Sequence, residues 1–249
     1  MSGRVEVIPI EGLPEIGPGA ELGSMIAAAG VPRGEDVVVV SQKVVSKAEG
    51  RVVRLDGVTP SDDADDLAAR LAKDPRLVEL ILRESRRIVR AQDGVLIAET
   101  RTGWVCANAG VDASNLPGEG TVALLPEDAD ASARRLRREI AGEGGARPAV
   151  VVSDSFGRPW RLGQADVAIG CAGLRPLDDW RGRRDRDGHE LSATVIAVAD
   201  QAAAAANLVR TKDAGLPAAI VRGLGRYVTV DDGPGAAAMQ RPASEDLFR

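Results

Sequence analysis

Apolar positions fall into short runs separated by polar, Gly- and Pro-rich stretches, and both strand and helix periods are present. Val5, Val7 and Pro9 alternate with Glu6, Ile8 and Ile10, predicting a strand over residues 4–10. Residues 11–19, EGLPEIGPG, hold three Gly and two Pro, which predicts an ordered loop with special backbone angles. A short helix is expected over 21–29, ended by Gly30 and Pro32. Residues 36–41, DVVVVS, form the unbroken apolar run of a buried strand. The following QKVVSKAEGR reads as that strand's polar end, with Lys43 and Lys47 on one strand face by alternation.

Further along, Ser61 is placed to cap a helix whose start is crowded with aspartates, which favour the positive end of a helix dipole. Pro75 opens the next helix, with Leu77, Leu80, Ile81 and Ile88 expected on one face. Residues 95–98 and 104–107 read as a hairpin around Thr102-Gly103, followed by the Gly-rich loop NAGVDASNLPGEG. A strand at 121–125, an amphipathic helix at 127–140 and a buried strand at 149–153 follow. Residues 166–172 and 195–199 read as strands, with a polar loop at 174–190 between them. An Ala-rich helix is expected from 200 to about 210, and a last strand at 219–222. The tail, 231–249, is expected to be peripheral. Short strands in partly hairpin order, alternating with helices, predict a mixed α/β (α+β) architecture and not a strict βαβ repeat.

Composition narrows the function. The chain has 249 residues, a net charge of −5 and only 2% aromatic residues. It lacks the basic face of a general nucleic-acid binder and the stacking rings of a single-strand binder. One histidine makes His-based triads and His-Cys zinc sites improbable. Two distant cysteines, Cys106 and Cys171, in apolar runs fit buried packing in a reducing cytoplasm. No apolar run has the length of a membrane span, and the N-terminus reads as a strand, not a signal peptide. GLPEIGPG lacks the GK[ST] ending of a P-loop, and no GxGxxG occurs, so any nucleotide binds by another route.

Polar clusters just after apolar strands are the candidate chemistry, because a sheet fixes the loop roots there. The first is Ser41-Gln42-Lys43 with Lys47. Only four of the 32 basic residues are lysines, yet two fall here. They fit phosphate contacts, or equally a solvated strand end. The second is NAGVDASN, where Asp112 and Asn115 offer oxygen ligands. The third is Ser153-Asp154-Ser155, where Asp154 follows the buried run AVVVS. Two aspartates and a serine hydroxyl match Mg²⁺ or Mn²⁺ chemistry, and singly each also fits a turn or cap residue. Spacing does not show whether they converge. Arg158 and Arg161 are candidate anion contacts. RGRRDRDG (181–188) reads as a solvated charged loop, and His189 as incidental.

In order along the chain, IEGLPEIGPG, VVVVSQKVVSKAEGR, CANAGVDASN, VVVSDSFGRPWRLGQADVAIG, and ADQAAAAANLV with PAAIVRGLG resemble the coenzyme F420-0:L-glutamate ligase family. The resemblance covers about residues 4–240. It implies an α/β fold of two intertwined subdomains over 1–240, a homodimer, and a tail at 241–249. That tail looks like the join to an FMN-binding, nitroreductase-like domain, fused or separate. The implied reaction phosphorylates the terminal carboxylate of coenzyme F420-0 with GTP, and L-glutamate then displaces phosphate to form an amide. Carried over by motif, Leu13, Pro14, Glu15 and Ile16 line the nucleotide site. Ser41, Gln42 and Lys47 contact GTP with Lys43 close by, and Asn115 contacts the nucleotide. Asp112 and Asp154 hold one divalent metal, and Ser155 helps hold a second. The loop at 209–216 supplies further nucleotide and second-metal contacts, with Thr211 and Lys212 among its nucleotide-binding residues. As catalytic residues the resemblance implies Asp112, Asp154 and Lys47. Two other readings of the same residues are a Mg²⁺-dependent phosphotransferase or hydrolase, and a non-catalytic GTP- and metal-binding module serving a flavin domain.

Overall fold

Val37, Val38, Val39 and Val40 are all fully buried, which requires cover on both faces of their strand. In the computed structural model, which describes residues 3–114, 116, 118–142, 145–211 and 213–246, two helical layers supply it. The chain opens with β1 (Glu6–Pro9), α1 (Leu22–Gly30), β2 (Val37–Ser41) and α2 (Gln42–Ala48). It continues through β3 (Val52–Arg54), α3 (Asp62–Leu71), α4 (Pro75–Glu84), β4 (Ser85–Gln92), β5 (Val95–Thr100), β6 (Val105–Ala107) and β7 (Thr121–Ala123). The last part holds α5 (Ala129–Ala141), β8 (Ala149–Arg158), β9 (Arg161–Ala172), β10 (Leu177–Asp179), β11 (Val195–Ala197), α6 (Val198–Asn207) and β12 (Ala218–Arg222).

The central sheet runs β1-β12-β2-β8-β9. Only β2 and β8 are parallel, and their register sets Ser41 opposite Ser153. Period-two alternation then sorts the side chains. Val38, Val40, Val150 and Val152 meet Leu22 and Ile26 of α1 and Leu136 of α5. Val37, Val39, Val151 and Val221 meet Ala199, Ala202, Ala203 and Ala206 of α6, and those small residues allow a close approach. A second core, with Leu71, Ile81, Leu96, Val111 and Leu124, belongs to the segment between α2 and α5. There α3, α4, the β4-β5-β6 sheet and the β3-β7 pair pack together.

Several local signals are met. Ser61 accepts from the Ala64 amide at the start of α3, and its own N–H and hydroxyl donate to Glu79 of α4. Asp74 caps α4 ahead of Pro75. The 95–107 hairpin forms, and Cys106 and Cys171 are free and buried.

Five expectations need correction. The segment after Ser41 is the helix α2 and not a strand end, so Lys43 and Lys47 share a face because they lie four residues apart. Ile88 belongs to β4, because the chain leaves α4 at Ser85. Residues 153–158 are not a loop but the outer half of β8, paired with β9 beyond a register shift at Val152/Ser153. The 174–190 segment includes β10, paired with β11. Finally, the tail is docked as far as Gln240. Arg137 donates to the Thr229 and Asp231 carbonyls and to the Asp232 carboxylate, Asp130 accepts the Ala236 amide, and Gln240 donates to Thr102. Beyond it, 241–245 are exposed.

Candidate functional site

Parallel strands β2 and β8 both end at one sheet edge, where ligands commonly bind in α/β sheets. A cleft of about 700 Å³ opens there, within the usual size of small-ligand sites. One wall is the Leu13, Pro14, Glu15, Ile16 loop. Next to it, Ser41 at the end of β2 and Gln42, Lys43 and Lys47 of α2 face the same space. Asp112 enters from the smaller unit, Asp154 and Ser155 from β8, and Thr211 from the loop after α6. The structure thus brings together every described residue that the resemblance assigns to the site. Asn115 and Lys212 lie outside the described residues. Arg158 and Arg161 do not reach the cleft. They sit exposed on the β8–β9 hairpin, where Arg158 turns back onto the Leu162 carbonyl.

Each wall is held by identifiable bonds. Asn108, Ala109 and Gly110 all take positive φ (52°, 51° and 75°), a tight left-handed turn. At Gly110 a Cβ would fall 2.5 Å from Leu125 Cγ, so only glycine fits. After this turn the Asp112 backbone exchanges hydrogen bonds with Ala123, which fixes the direction of its side chain. The Ser41 amide donates to the Pro217 carbonyl at 2.8 Å, and Arg210 donates to the same oxygen, closing the 210–217 loop over the end of β2.

The electrostatics differ from carboxylate to carboxylate. Lys43 Nζ donates to Asp112 Oδ2 at 2.7 Å and also to Ser114. Burial opposes ionisation of Asp112, but Lys43 and the Ser114 amide outweigh it and hold the carboxyl below its usual range. Lys47 donates to Glu15 at 2.6 Å across the mouth of the cleft. Asp166 is bound by Arg210 at 2.6 Å and by the hydroxyls of Ser153 and Ser155. Asp154 has no ion-pair partner among the described residues and accepts only the Ser155 amide. Burial pushes its carboxyl up to about 6, and the charges of Asp112 and Asp166 add to the effect. Burial likewise pushes the Cys106 thiol up to about 12, which leaves it inert.

Sequence reasoning missed Asp166, Gln164 and Asn207, which also line the cleft, and named Asn108, Arg210 and Asp213 only as members of the NAGVDASN cluster and the 209–216 loop. Asp166 carried a usable signal: like Asp154, it is a carboxylate beside an apolar strand run. Its partner Arg210 lies 44 residues away, and no spacing rule links them.

Charge counting tests a divalent cation against these residues. Asp112, Asp154 and Asp166 bring three negative charges, Lys43 and Arg210 two positive ones, and the surplus falls on the buried Asp154. The donors facing the cleft are oxygens, the set that hard cations prefer. Among the described residues no three Asp, Glu, His or Cys side chains form a complete cage.

Oxygen donors and two lysines thus meet in one cleft of about 700 Å³ at the end of a mixed sheet. Residues 12–223 match the family model described as F420-0:Gamma-glutamyl ligase. The chain is 43% identical over 251 residues to the "Coenzyme F420:L-glutamate ligase" of Methanothermobacter thermautotrophicus, covering 98% of this chain and 99% of that one. It is 46% identical over 248 residues to the protein of that name from Methanopyrus kandleri, covering 99% and 97%. Against the Haloarcula marismortui protein of the same name it is 41% identical over 252 residues, covering 98% and 96%. The chain belongs to the F420-0:gamma-glutamyl ligase family.

Proposed function

We propose that this protein is a GTP- and divalent-metal-dependent ligase that joins L-glutamate to coenzyme F420-0 through an acyl phosphate. The observation that carries the reading is the convergence of Lys43, Lys47, Asp112, Asp154 and Ser155 on one cleft of nucleotide size. Family membership and the names of the relatives supply the substrates.

A carboxylate is a poor acyl donor, so the reaction must first give it a leaving group. The terminal carboxylate of the coenzyme attacks the γ-phosphorus of GTP. The new O–P bond forms as the bond to the β,γ-bridging oxygen breaks, and GDP leaves. The neutral amine of L-glutamate then attacks the acyl carbon, and the C–O bond to phosphate breaks. Phosphate departs, the amine loses its proton, and an amide remains. The negative charge on the transferred group is the main obstacle, and fixed cations lower it.

This chain's residues divide the work. Lys47 leaves Glu15 and takes a phosphate oxygen, and Lys43 lies one helical turn away on the same face of α2. The 13–16 loop closes over the nucleotide, and Thr211 meets it from the far wall. Asp112 and Asp154 would hold a Mg²⁺ or Mn²⁺ ion, and Ser155 a second. Bound there, such ions neutralise phosphate charge and align the in-line transfer. A homodimer belongs to this reading. Trp160 and Leu162, 82% and 97% exposed at the β8–β9 hairpin, are surface that a second copy can cover. The free buried cysteines support a reducing cytoplasm as its compartment. Among the described residues no helix is long and apolar enough to cross a membrane.

The test is GDP release with GTP and Mn²⁺ or Mg²⁺, with and without coenzyme F420-0 and L-glutamate, reading products by mass. Release that needs both co-substrates, with a product heavier by one or more glutamyl residues, is expected. Release without glutamate incorporation means a phosphotransferase or hydrolase instead. Binding of GTP without any release means a binding module.

A further inference from the structure

The Ser155 hydroxyl has one proton, and the structure commits it. Ser155 Oγ donates to Asp166 Oδ1 at 2.7 Å, across a register pair of the β8–β9 ladder. The other carboxylate oxygen, Oδ2, accepts Arg210 Nη2 at 2.6 Å and Ser153 Oγ at 3.0 Å. Arg210 Nη2 also donates to Ser153 Oγ at 2.8 Å. Asp166 and Arg210 are almost wholly buried, with side chains 7% and 4% exposed. A carboxylate can only accept and a guanidinium can only donate, so the polarity of this chain of bonds runs one way. With its proton turned to Asp166, the Ser155 oxygen offers lone pairs alone to the cleft. A lone-pair oxygen attracts a cation and repels a phosphate oxygen.

We infer that Asp166, locked by Arg210, is a positioning residue that makes the Ser155 hydroxyl an acceptor-only ligand for a divalent cation. The inference rests on the metal-dependent reading of the cleft and adds to it the pair that sets the ligand's polarity. Arg210 has a second task in the same network. It ties the 210–217 loop to β8 through the Pro217 carbonyl and Ser153, so cation ligand and loop share one anchor.

Asp166→Asn isolates the effect because it is nearly isosteric. Arg210 and Ser153 both donate toward the Oδ2 side, so the carboxamide must present its oxygen there. Its NH2 then faces Ser155 and donates, and the Ser155 proton is driven into the cleft. One atom exchange inverts the ligand.

The experiment titrates Mn²⁺ into the full chain with a non-hydrolysable GTP analogue present, following free Mn²⁺ by electron paramagnetic resonance. Fold is checked by near-ultraviolet circular dichroism. Asp166→Asn and Ser155→Ala are each expected to weaken Mn²⁺ binding by about 10–100-fold, the usual range for residues that orient a metal ligand. The double variant should be no weaker than the worse single one, because both changes remove one interaction. Ser155→Thr, which keeps the hydroxyl, should retain most of the affinity. Wild-type affinity in a folded Asp166→Asn protein, or additive losses in the double variant, overturns the inference and leaves the ligase reading standing. No Mn²⁺ binding by wild type overturns the metal reading itself, and the inference with it. If Asp166→Asn does not fold, equal affinities of Ser155→Ala and wild type overturn the inference.

Discussion

The two sides of the cleft treat their carboxylates in opposite ways. On the α2 side, Asp112 lies under Lys43, and a lysine, an amide and a hydroxyl hold it ionised. On the β8 side, Asp154 is buried with one amide for company, and its carboxyl is pushed up to about 6. A fold selected for stability alone would not keep an unpaired carboxylate beside two others. On the proposed reading, Asp154 is the place where stability is given up for binding, and Asp112 is where the two agree. This contrast can be broken at either end.

The largest effect is expected at Asp154. Asp154→Asn removes the surplus charge that a cation answers, and ligation should fall by about 10²–10³-fold or more. Stability of the chelator-treated protein should move the other way. The Asp154 carboxyl titrates higher in the folded chain, about 6 against 3.8, so folding favours its protonated form. Its contribution is therefore fully present below about pH 3.8 and is lost as pH rises through about 6. At pH 7.5 the substitution should stabilise the metal-free protein by roughly 2–3 kcal/mol, shrinking to nothing near pH 4. Thermal melts with and without Mn²⁺ read both halves. A variant no more stable than wild type at pH 7.5 would show that Asp154 has a partner that relieves it.

Asp112→Asn should break the other half with the opposite sign. Its folded carboxyl titrates below its usual value, so its contribution is present above that value and fades as pH falls through the folded one. Losing it should destabilise the protein at pH 7.5 by less than about 1 kcal/mol, because the Asp112 side chain is 40% exposed and solvent screens the Lys43 pair. Ligation should again fall steeply. The same melts, run beside Asp154→Asn, decide the matter: two variants that lose activity while shifting stability in opposite directions are the signature of the asymmetry. If both stabilise, Lys43 does not hold Asp112 in solution.

A smaller loss belongs to Lys47→Ala. The Lys47 ammonium meets an exposed Glu15, so little stability depends on the pair, and its value lies in the phosphate it can take instead. GTP affinity, measured by calorimetry, should weaken about tenfold or somewhat more, as for a hydrogen bond to a charged group. Unchanged affinity would return Lys47 to the solvated surface.

The parts legible in the chain and the parts that were not separate along one line, the range of the interaction. Ser61, Asp74 and Pro75 act within a turn of their own helices, and each did what its neighbours predict. α2 is not legible because its polar residues Gln42, Lys43, Ser46 and Lys47 follow the apolar run directly and fit a solvated strand end as well as a helix of only seven residues, and Ser41 makes no side-chain capping bond. The polar half of β8 reads as a loop because SDSFGRP is polar and holds Gly and Pro, and its pairing with β9 resumes only beyond a register shift at Val152/Ser153. Lys43 and Asp112 are 69 residues apart, Asp166 and Arg210 44. Polar clusters after apolar strands brought the first pair to attention. Of the second, Asp166 had no role attached and Arg210 fell only within the 209–216 loop, and the folded hairpin shows how the two pair.

The least effect is expected at His189, the only histidine in the chain and the side chain that a search for general bases would choose first. It lies in the turn at 185–189. There its amide donates to Asp185, and its ring, 80% exposed, stands 3.5 Å from the same carboxylate. Neither residue lines the cleft. An exposed pair of this kind contributes at most a few tenths of a kcal/mol. His189→Ala should therefore leave kcat, KM for GTP and the melting temperature within about twofold or 1 °C of wild type. The value of that flat result lies in what it forces. With no histidine in play, the proton lost by the glutamate amine must leave through another group of the cleft, the released phosphate or solvent. The pH-rate profile then reports groups other than histidine. A large loss in His189→Ala would instead bring the 185–189 turn to the reacting atoms, across a subunit boundary or by loop movement.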